Sequence, residues 1–219
     1  NAIPGDFWFR FLTSNPQDVS DELINTLPQC EKLAPYFHLP IQSGDDEILR
    51  KMNRRHNQEY YLELVNKIRS AWPDVAITTD IIVGFPGETQ AQFQHTADLM
   101  RQVQYDMAYI AEYSPRPGTA AQRFFQDDVV PAEKTRRKKA LNHILEQSAL
   151  NQTKKLVGRD IQVLVEHYDK SKKMNTGKTP GFKNIRFAGP DYTCRFVTVR
   201  VSGAHPWGLA GTIKKLRPV

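Results

Sequence analysis

Three short stretches hold most of the residues that could do chemistry: Ile41-Gln-Ser-Gly-Asp45, Gly84-Phe-Pro-Gly-Glu-Thr89 and Tyr113-Ser-Pro-Arg-Pro-Gly-Thr119. Each sets glycine or proline beside side chains that hydrogen-bond. Glycine lets the backbone approach a bound molecule closely, and Gln42, Ser43 and Tyr113 carry donors and acceptors suited to a nucleoside. Taken singly, each stretch reads equally well as a tight turn between a strand and a helix. Taken together on one sheet edge, they form one pocket. Gly84-Phe-Pro-Gly87 is not a phosphate loop, because no Gly-Lys-Ser/Thr follows it. Asp80 stands in an otherwise apolar run, where an unpaired carboxylate is costly. Either it faces an interior that binds something, the reading favoured here, or it caps a neighbouring turn. Asn53-Arg-Arg-His56 could clamp a carboxylate or phosphate with guanidinium forks, or be an exposed basic helix end. The six histidines show no metal-ligand spacing, and the two cysteines, Cys30 and Cys194, exclude a disulfide framework, a zinc ribbon and a self-sufficient iron–sulfur site.

The elements that must position these stretches alternate strand with helix. Phe7–Leu12 is an aromatic, strand-like run ending at Thr13-Ser-Asn-Pro16. Ser20 caps a helix carrying Leu23, Ile24 and Leu27. Tyr36–Ile41 is extended, Asp45 and Asp46 open a helical turn, and Asn57 caps a helix with Tyr61, Val65, Ile68 and Trp72 on one face. Val75–Val83 is a β-branched strand buried on both faces. Thr89 with Gln92 forms a capping box, and Met107–Tyr113 is the next strand. Crossovers of this length imply parallel strands in right-handed units, with four strands making half of a barrel and more expected on the N-terminal side. Ligands of such sheets sit beyond the carboxyl ends of the strands.

Pro131 starts a long helix halted by Gly158. Beyond it Ile161, Val163 and Val165 alternate as one face, and Val197, Val199 and Val201 as another. Turn residues cluster at Asn175–Gly181 and Ala204–Gly208. This predicts a small antiparallel barrel of roughly 60 residues.

The chain has 219 residues, of which 40% are hydrophobic and 25% charged, a globular composition that excludes wholesale disorder. No apolar run approaches the ~20 residues of a membrane-spanning helix. Asn1–Asp6 shows no signal-peptide pattern, so a cytoplasmic protein without membrane association is expected. The net charge of +6 is unevenly spread: Leu150–Val219 holds 14 Lys and Arg against 4 Asp and Glu, whereas Asn1–Ala149 holds 16 against 20. A basic segment on an acidic body is the footprint of a polyanion partner; the blander alternative is a solvating surface. The step in charge predicts a domain boundary near 150–158.

The motif wording goes further. His38-Leu-Pro-Ile-Gln-Ser-Gly44, Met52-Asn-Arg-Arg55, Thr79-Asp-Ile-Ile-Val-Gly-Phe-Pro-Gly-Glu-Thr89 and Tyr113-Ser-Pro-Arg-Pro-Gly-Thr119 together closely resemble the radical S-adenosylmethionine methylthiotransferases. They are most similar to the MiaB type, which adds a methylthio group to an isopentenylated adenosine beside the tRNA anticodon. Phe11-Leu-Thr-Ser-Asn-Pro16 looks like that family's third barrel strand. The residues from about 157 on, including Gly177-Lys-Thr-Pro-Gly-Phe-Lys183, resemble its RNA-binding TRAM domain.

The resemblance implies an α/β partial (β/α)6 barrel, represented by its C-terminal half over residues 1–156 with a linker helix, followed by a small all-β TRAM barrel over 157–219. It implies a methylthiotransferase that uses S-adenosylmethionine as methyl donor and radical source and two four-iron, four-sulfur clusters. Its partners would be the tRNA anticodon stem-loop and an electron donor, and it is expected to be a monomer. The family's two cysteine triads have no counterpart here, so no metal ligand or catalytic residue is assigned, and this chain alone is expected to be silent. Gln42, Ser43, Asp80, Gly84 and Tyr113 are the candidate S-adenosylmethionine residues. Lys178, Lys183, Arg186 and Arg195 are candidate RNA contacts, placed by charge alone. The rivals are a sister methylthiotransferase, acting on threonylcarbamoyl-adenosine or a ribosomal protein, and a non-catalytic RNA-binding protein.

Overall fold

A computed structural model of the chain describes residues 2–216. The chain divides into two compact units, one of Phe11–Cys30 and Phe37–Leu145, the other of Asn1–Arg10, Glu31–Tyr36 and Glu146–Val219. The elements in chain order are α1 (Asp21–Thr26), β1 (Tyr36–His38), α2 (Asp46–Lys51), α3 (Gln58–Ala71), β2 (Ala76–Val83), α4 (Gln90–Val103), β3 (Met107–Glu112), α5 (Ala120–Phe124), α6 (Pro131–Lys154), β4 (Asp160–Asp169), β5 (Met174–Lys178), β6 (Asn184–Ala188), β7 (Phe196–His205) and β8 (Gly208–Leu216).

The first unit is built on the sheet β1-β2-β3. β2 and β3 run parallel from Thr78↔Met107 to Val83↔Glu112. β1 continues the sheet through Leu39 N–H to Thr78 C=O at 2.8 Å and Gln42 N–H to Asp80 C=O at 2.9 Å. The caps fall where side-chain chemistry put them: Ser20, Asp45, Asn57 and Thr89 each accept backbone N–H groups of the first turn, and Thr89 with Gln92 closes a full capping box. One sheet face turns Phe37, Leu39, Ile41, Ile77, Ile81 and Val83 onto α3 and α4, where Tyr61, Val65, Ile68, Phe93, Ala97 and Met100 complete a buried core. Tyr61 and Tyr105 lie wholly inside, and burial raises both phenol pKa values. The Tyr61 hydroxyl donates to Leu39 C=O at 2.8 Å and accepts from Tyr105 at 3.0 Å, so neither hydroxyl is stranded.

The strand expected over Phe7–Leu12 does not form. Only Phe9 pairs, as an isolated bridge to Leu33, so the sheet has three strands among the described residues rather than four. The flanking side chains are engaged elsewhere: Trp8 sets its edge on Phe196 at 4.9 Å, and the Arg10 guanidinium lies 3.3 Å from the Phe182 ring centroid. Aromatic composition favours a strand only where a neighbour offers a ladder to join.

The second unit contains a closed five-stranded barrel of order β4-β5-β6-β8-β7. Closure leaves no unpaired strand edge. Val163, Val165, Ile185, Phe187, Val197, Val199, Val201 and Leu209 fill its interior. Pairing is antiparallel throughout except that β6 and β8 run parallel, Ile185 opposite Leu209, which corrects the all-antiparallel expectation. Asn175–Lys178 also depart from the predicted turn: they belong to β5, with Gly177 opposite Val165 and Ile185. A Cβ on Gly177 would lie 2.4 Å from Leu164 C=O, so this glycine serves close strand packing rather than a bend. Likewise Ala204, His205 and Gly208 are in the β7–β8 ladder, leaving Pro206 and Trp207 as the turn. No helix among the described residues is long and apolar enough to cross a membrane.

Candidate functional site

Because β1, β2 and β3 are adjacent and parallel, the three glycine- and proline-rich stretches emerge from one edge of the sheet, at the strands' carboxyl ends. Gln42, though not a glycine, has a φ of 74°, in the left-handed region. Its amide and carbonyl nonetheless stay in the ladder, bonded to Asp80 C=O and Ile82 N–H at 2.9 Å each. Ser43 is fully buried, its hydroxyl 3.4 Å from Thr96 Oγ1 and accepting Asp45 N–H at 3.2 Å. Gly44 N–H donates to the same Thr96 hydroxyl at 2.9 Å. Ser43 thus docks its loop on α4.

Gly84 has a φ of 69° and gives its N–H to Glu88 Oε2 at 2.6 Å. A Cβ there would meet Lys134 Cγ at 2.4 Å, so the space above Gly84 is filled by that lysine's stem. Tyr113 extends β3 through N–H to Val83 C=O at 2.9 Å and sets its ring against Phe85, centroids 5.1 Å apart. Burial, with the nearby Asp127 carboxylate second, raises the Tyr113 phenol pKa.

Two buried cations from the start of α6 complete this edge, and sequence reasoning missed both. Lys134 donates to both Asp127 carboxylate oxygens at 2.6 and 2.7 Å and to Tyr113 C=O at 3.1 Å. Arg137 Nη1 donates to Glu88 Oε2 at 2.6 Å and Glu88 C=O at 2.9 Å, while its Nε reaches Glu133 at 2.8 Å. Burial raises the Glu88 pKa, opposed first by the Gly84 N–H and then by Arg137. Glu88 Oε1 is buried with no hydrogen-bond partner among the described residues. Arg136 and Arg137 hold the Glu133 carboxyl down to about 2.

Asp80 lies on the sheet face opposite the helices. Its side chain is 41% exposed, and its Oδ2 is 3.3 Å from His38 Nε2, whose Nδ1 is 2.8 Å from Thr78 Oγ1. Tyr109, opposite Asp80 in the register, is 54% exposed and packs edge-on to His38 at 6.0 Å. Asp80 is therefore a partnered, part-exposed carboxylate, and its partner His38 was quoted in a motif without being given a role.

Of the basic residues, Lys178, Lys183 and Arg186 share the β5–β6 hairpin. Lys178 donates to Asn184 at 2.6 Å and stands 4.5 Å over the Phe182 ring. Arg186 is opposite Thr176 and exposed. Arg195 lies apart, before β7, with its carbonyl accepting Val165 N–H at 3.0 Å. No three His, Cys, Asp or Glu side chains among the described residues are grouped to hold a metal ion; Cys30 is half-buried and Cys194 exposed. These residues do not by themselves fit an iron–sulfur cluster.

The parallel sheet gathers its loops at the carboxyl edge, and residues 7–100 match the Radical SAM superfamily. The fold is shared with a solved structure titled "Coproporphyrinogen III oxidase (HemN) from Escherichia coli is a Radical SAM enzyme", with a TM-score of 0.52 and 23% identity over 61% of this chain and 31% of that one. The chain is 44% identical over 93% of its length to the tRNA-2-methylthio-N(6)-dimethylallyladenosine synthase of Geobacillus kaustophilus, covering 39% of that protein. Proteins of the same name from Thermoanaerobacter sp. (strain X514) and Erythrobacter litoralis are 40% and 43% identical over 97% and 93% of this chain, which covers 45% and 46% of them. The chain thus spans less than half the length of these relatives.

Proposed function

We propose that this chain is the C-terminal part of a tRNA methylthiotransferase that modifies C2 of an isopentenylated adenosine beside the anticodon. The observation that carries the reading is the convergence of three family-like strand-end motifs on one sheet edge, in a chain similar along nearly its whole length to synthases of that name. In this reading residues 1–156 are the later part of a partial (β/α)6 barrel, and 157–219 are a TRAM-type barrel in a cytoplasmic monomer. When bound, S-adenosylmethionine supplies the methyl group and the radical that such chemistry needs. The chain's own part is to bind and orient. Gln42 and Tyr113 offer polar groups to the nucleoside, and the Asp80 carboxylate, aligned by His38, accepts hydroxyl or amino donors from the open face. Ser43 and Gly84 shape the loops that present them. Lys178, Lys183, Arg186 and Arg195 give the barrel cationic contacts to tRNA phosphates, while the target base is drawn out of its stack to reach the sheet edge.

The test is nucleoside mass spectrometry of tRNA from a strain lacking its methylthiotransferase and given the complete reading frame that contains this chain. Methylthio-isopentenyladenosine should appear, and Asp80→Ala should reduce it. Accumulation of unmodified isopentenyladenosine with methylthiolation of threonylcarbamoyl-adenosine would assign a sister activity instead, and no methylthio nucleoside at all would overturn the enzymatic reading.

A further inference from the structure

We propose that Lys134 is a positioning residue of the nucleoside pocket, a buried ammonium at the start of α6 that fixes the loops after β2 and β3 against each other. The inference rests on the reading of those loops as a nucleoside site. Lysine is almost never fully buried unless paired, yet Lys134 is only 5% exposed. Its three donors meet three acceptors: two oxygens of Asp127 and the carbonyl of Tyr113. The same ammonium stands 5.3 Å from the Tyr113 ring centroid. Its stem runs directly over Gly84, in the space a Cβ would need. One side chain therefore touches both pocket loops, with a carbonyl bond on one and van der Waals contact on the other. A methionine could replace the stem, but nothing apolar could hold the Tyr113 peptide or answer the Asp127 charge. Ordering both loops before the ligand arrives removes part of the entropy cost of binding. Lys134 touches no ligand atom in this account; it acts through Tyr113 and Gly84.

The experiment titrates the 15N-labelled chain with S-adenosylhomocysteine, a nucleoside probe free of redox chemistry, and follows backbone amide shifts. In the unaltered chain the amides of Gln42, Gly84 and Tyr113 should shift on saturation. Lys134→Met should weaken binding at least about tenfold and leave amides of the β4–β8 barrel in place. Asp127→Asn, which keeps the side chain's shape and an oxygen acceptor while removing the charge, should weaken it in the same direction. Lys139→Met, an exposed cation on the same helix, should bind as the unaltered chain does. If Lys134→Met does not fold, Asp127→Asn decides. Affinity equal to the unaltered chain's in Lys134→Met, or in Asp127→Asn where Lys134→Met does not fold, would reduce Lys134 to packing while leaving the nucleoside site standing. Absence of any loop shift in the unaltered chain would remove the nucleoside site and this proposal with it.

Discussion

At Gly177 a methyl group would press on the Leu164 carbonyl at 2.4 Å and on Val163 Cγ1 at 2.7 Å, and backbone cannot step aside cheaply. Gly177→Ala should therefore destabilise the barrel by ~1–3 kcal/mol. At Gly203 the added Cβ meets only Ala210 Cβ at 3.5 Å, ordinary contact, so Gly203→Ala should lie within about 0.5 kcal/mol of the unaltered chain. Urea unfolding of the two variants side by side checks the contrast. In sequence Gly177 sits beside Lys178-Thr-Pro-Gly181 and reads as a turn, because the neighbour that forbids a side chain is a strand partner remote along the chain. His56 hides in the same way. Burial lowers its pKa below 6.5, and its Nδ1 is buried without a partner among the described residues. As pH falls below 6.5 the unfolded chain binds a proton that the folded one refuses, so stability should drop from there until the lowered folded pKa is passed. Unfolding between pH 7.5 and 5.5 should show that loss in the unaltered chain and a smaller one in His56→Gln; equal losses would clear His56 of the effect.

Among elements, α6 shows where sequence patterning was legible and where its reading stopped short. Pro131 at its start and the stripe Leu141, Ile144 and Leu145 are plain in the sequence, and all three side chains are buried. Lys134 and Arg137 continue that stripe toward the N-terminus at helical spacing, which is the signal that they face inward; their charge makes them look like solvent-facing residues. Helix caps were legible for the opposite reason, since a cap is a local bond between residues two or three apart. The Phe7–Leu12 strand failed because strand formation depends on a remote neighbour. Arg137 pairs with Glu88 where neither has water to replace the other. Arg137→Met should cost ~3–5 kcal/mol, because it strands a buried carboxylate rather than deleting a matched pair. The loss should grow with pH. Glu88 already has a raised pKa, so without Arg137 its penalty is absent below about 4.5, where folded and unfolded chains are both protonated, and grows as pH rises above that value. Denaturant melts at pH 4 and pH 8 would show it, and Glu88→Leu with Arg137→Met should be milder at pH 8 than Arg137→Met alone.

For the molecule as a whole, the parallel α/β sheet and the small closed barrel were legible in periodicity, whereas the expectation of a polyanion partner rests on charge: 14 basic against 4 acidic residues from Leu150 onward, and 16 against 20 before it. Binding through that segment must release counterions, so log K for tRNA should fall linearly with log salt between ~50 and ~200 mM. If four to six phosphates are engaged, the slope should be about −3 to −5. Arg186, exposed on β6, is the cleanest single probe, since removing it leaves the buried Ile185 and Phe187 that anchor its strand untouched. Arg186→Ala should flatten the slope by somewhat under one unit and weaken different tRNAs about equally, because phosphate contacts position without reading sequence. Lys178 should behave differently: its ammonium already bonds Asn184 and faces the Phe182 ring, so Lys178→Ala should cost affinity partly by loosening the hairpin and change the slope less. The measurement is a salt titration of tRNA binding by the unaltered chain and the two variants under identical buffer. A slope near zero, or an Arg186→Ala slope unchanged from the parent, would make the basic segment a solvating surface.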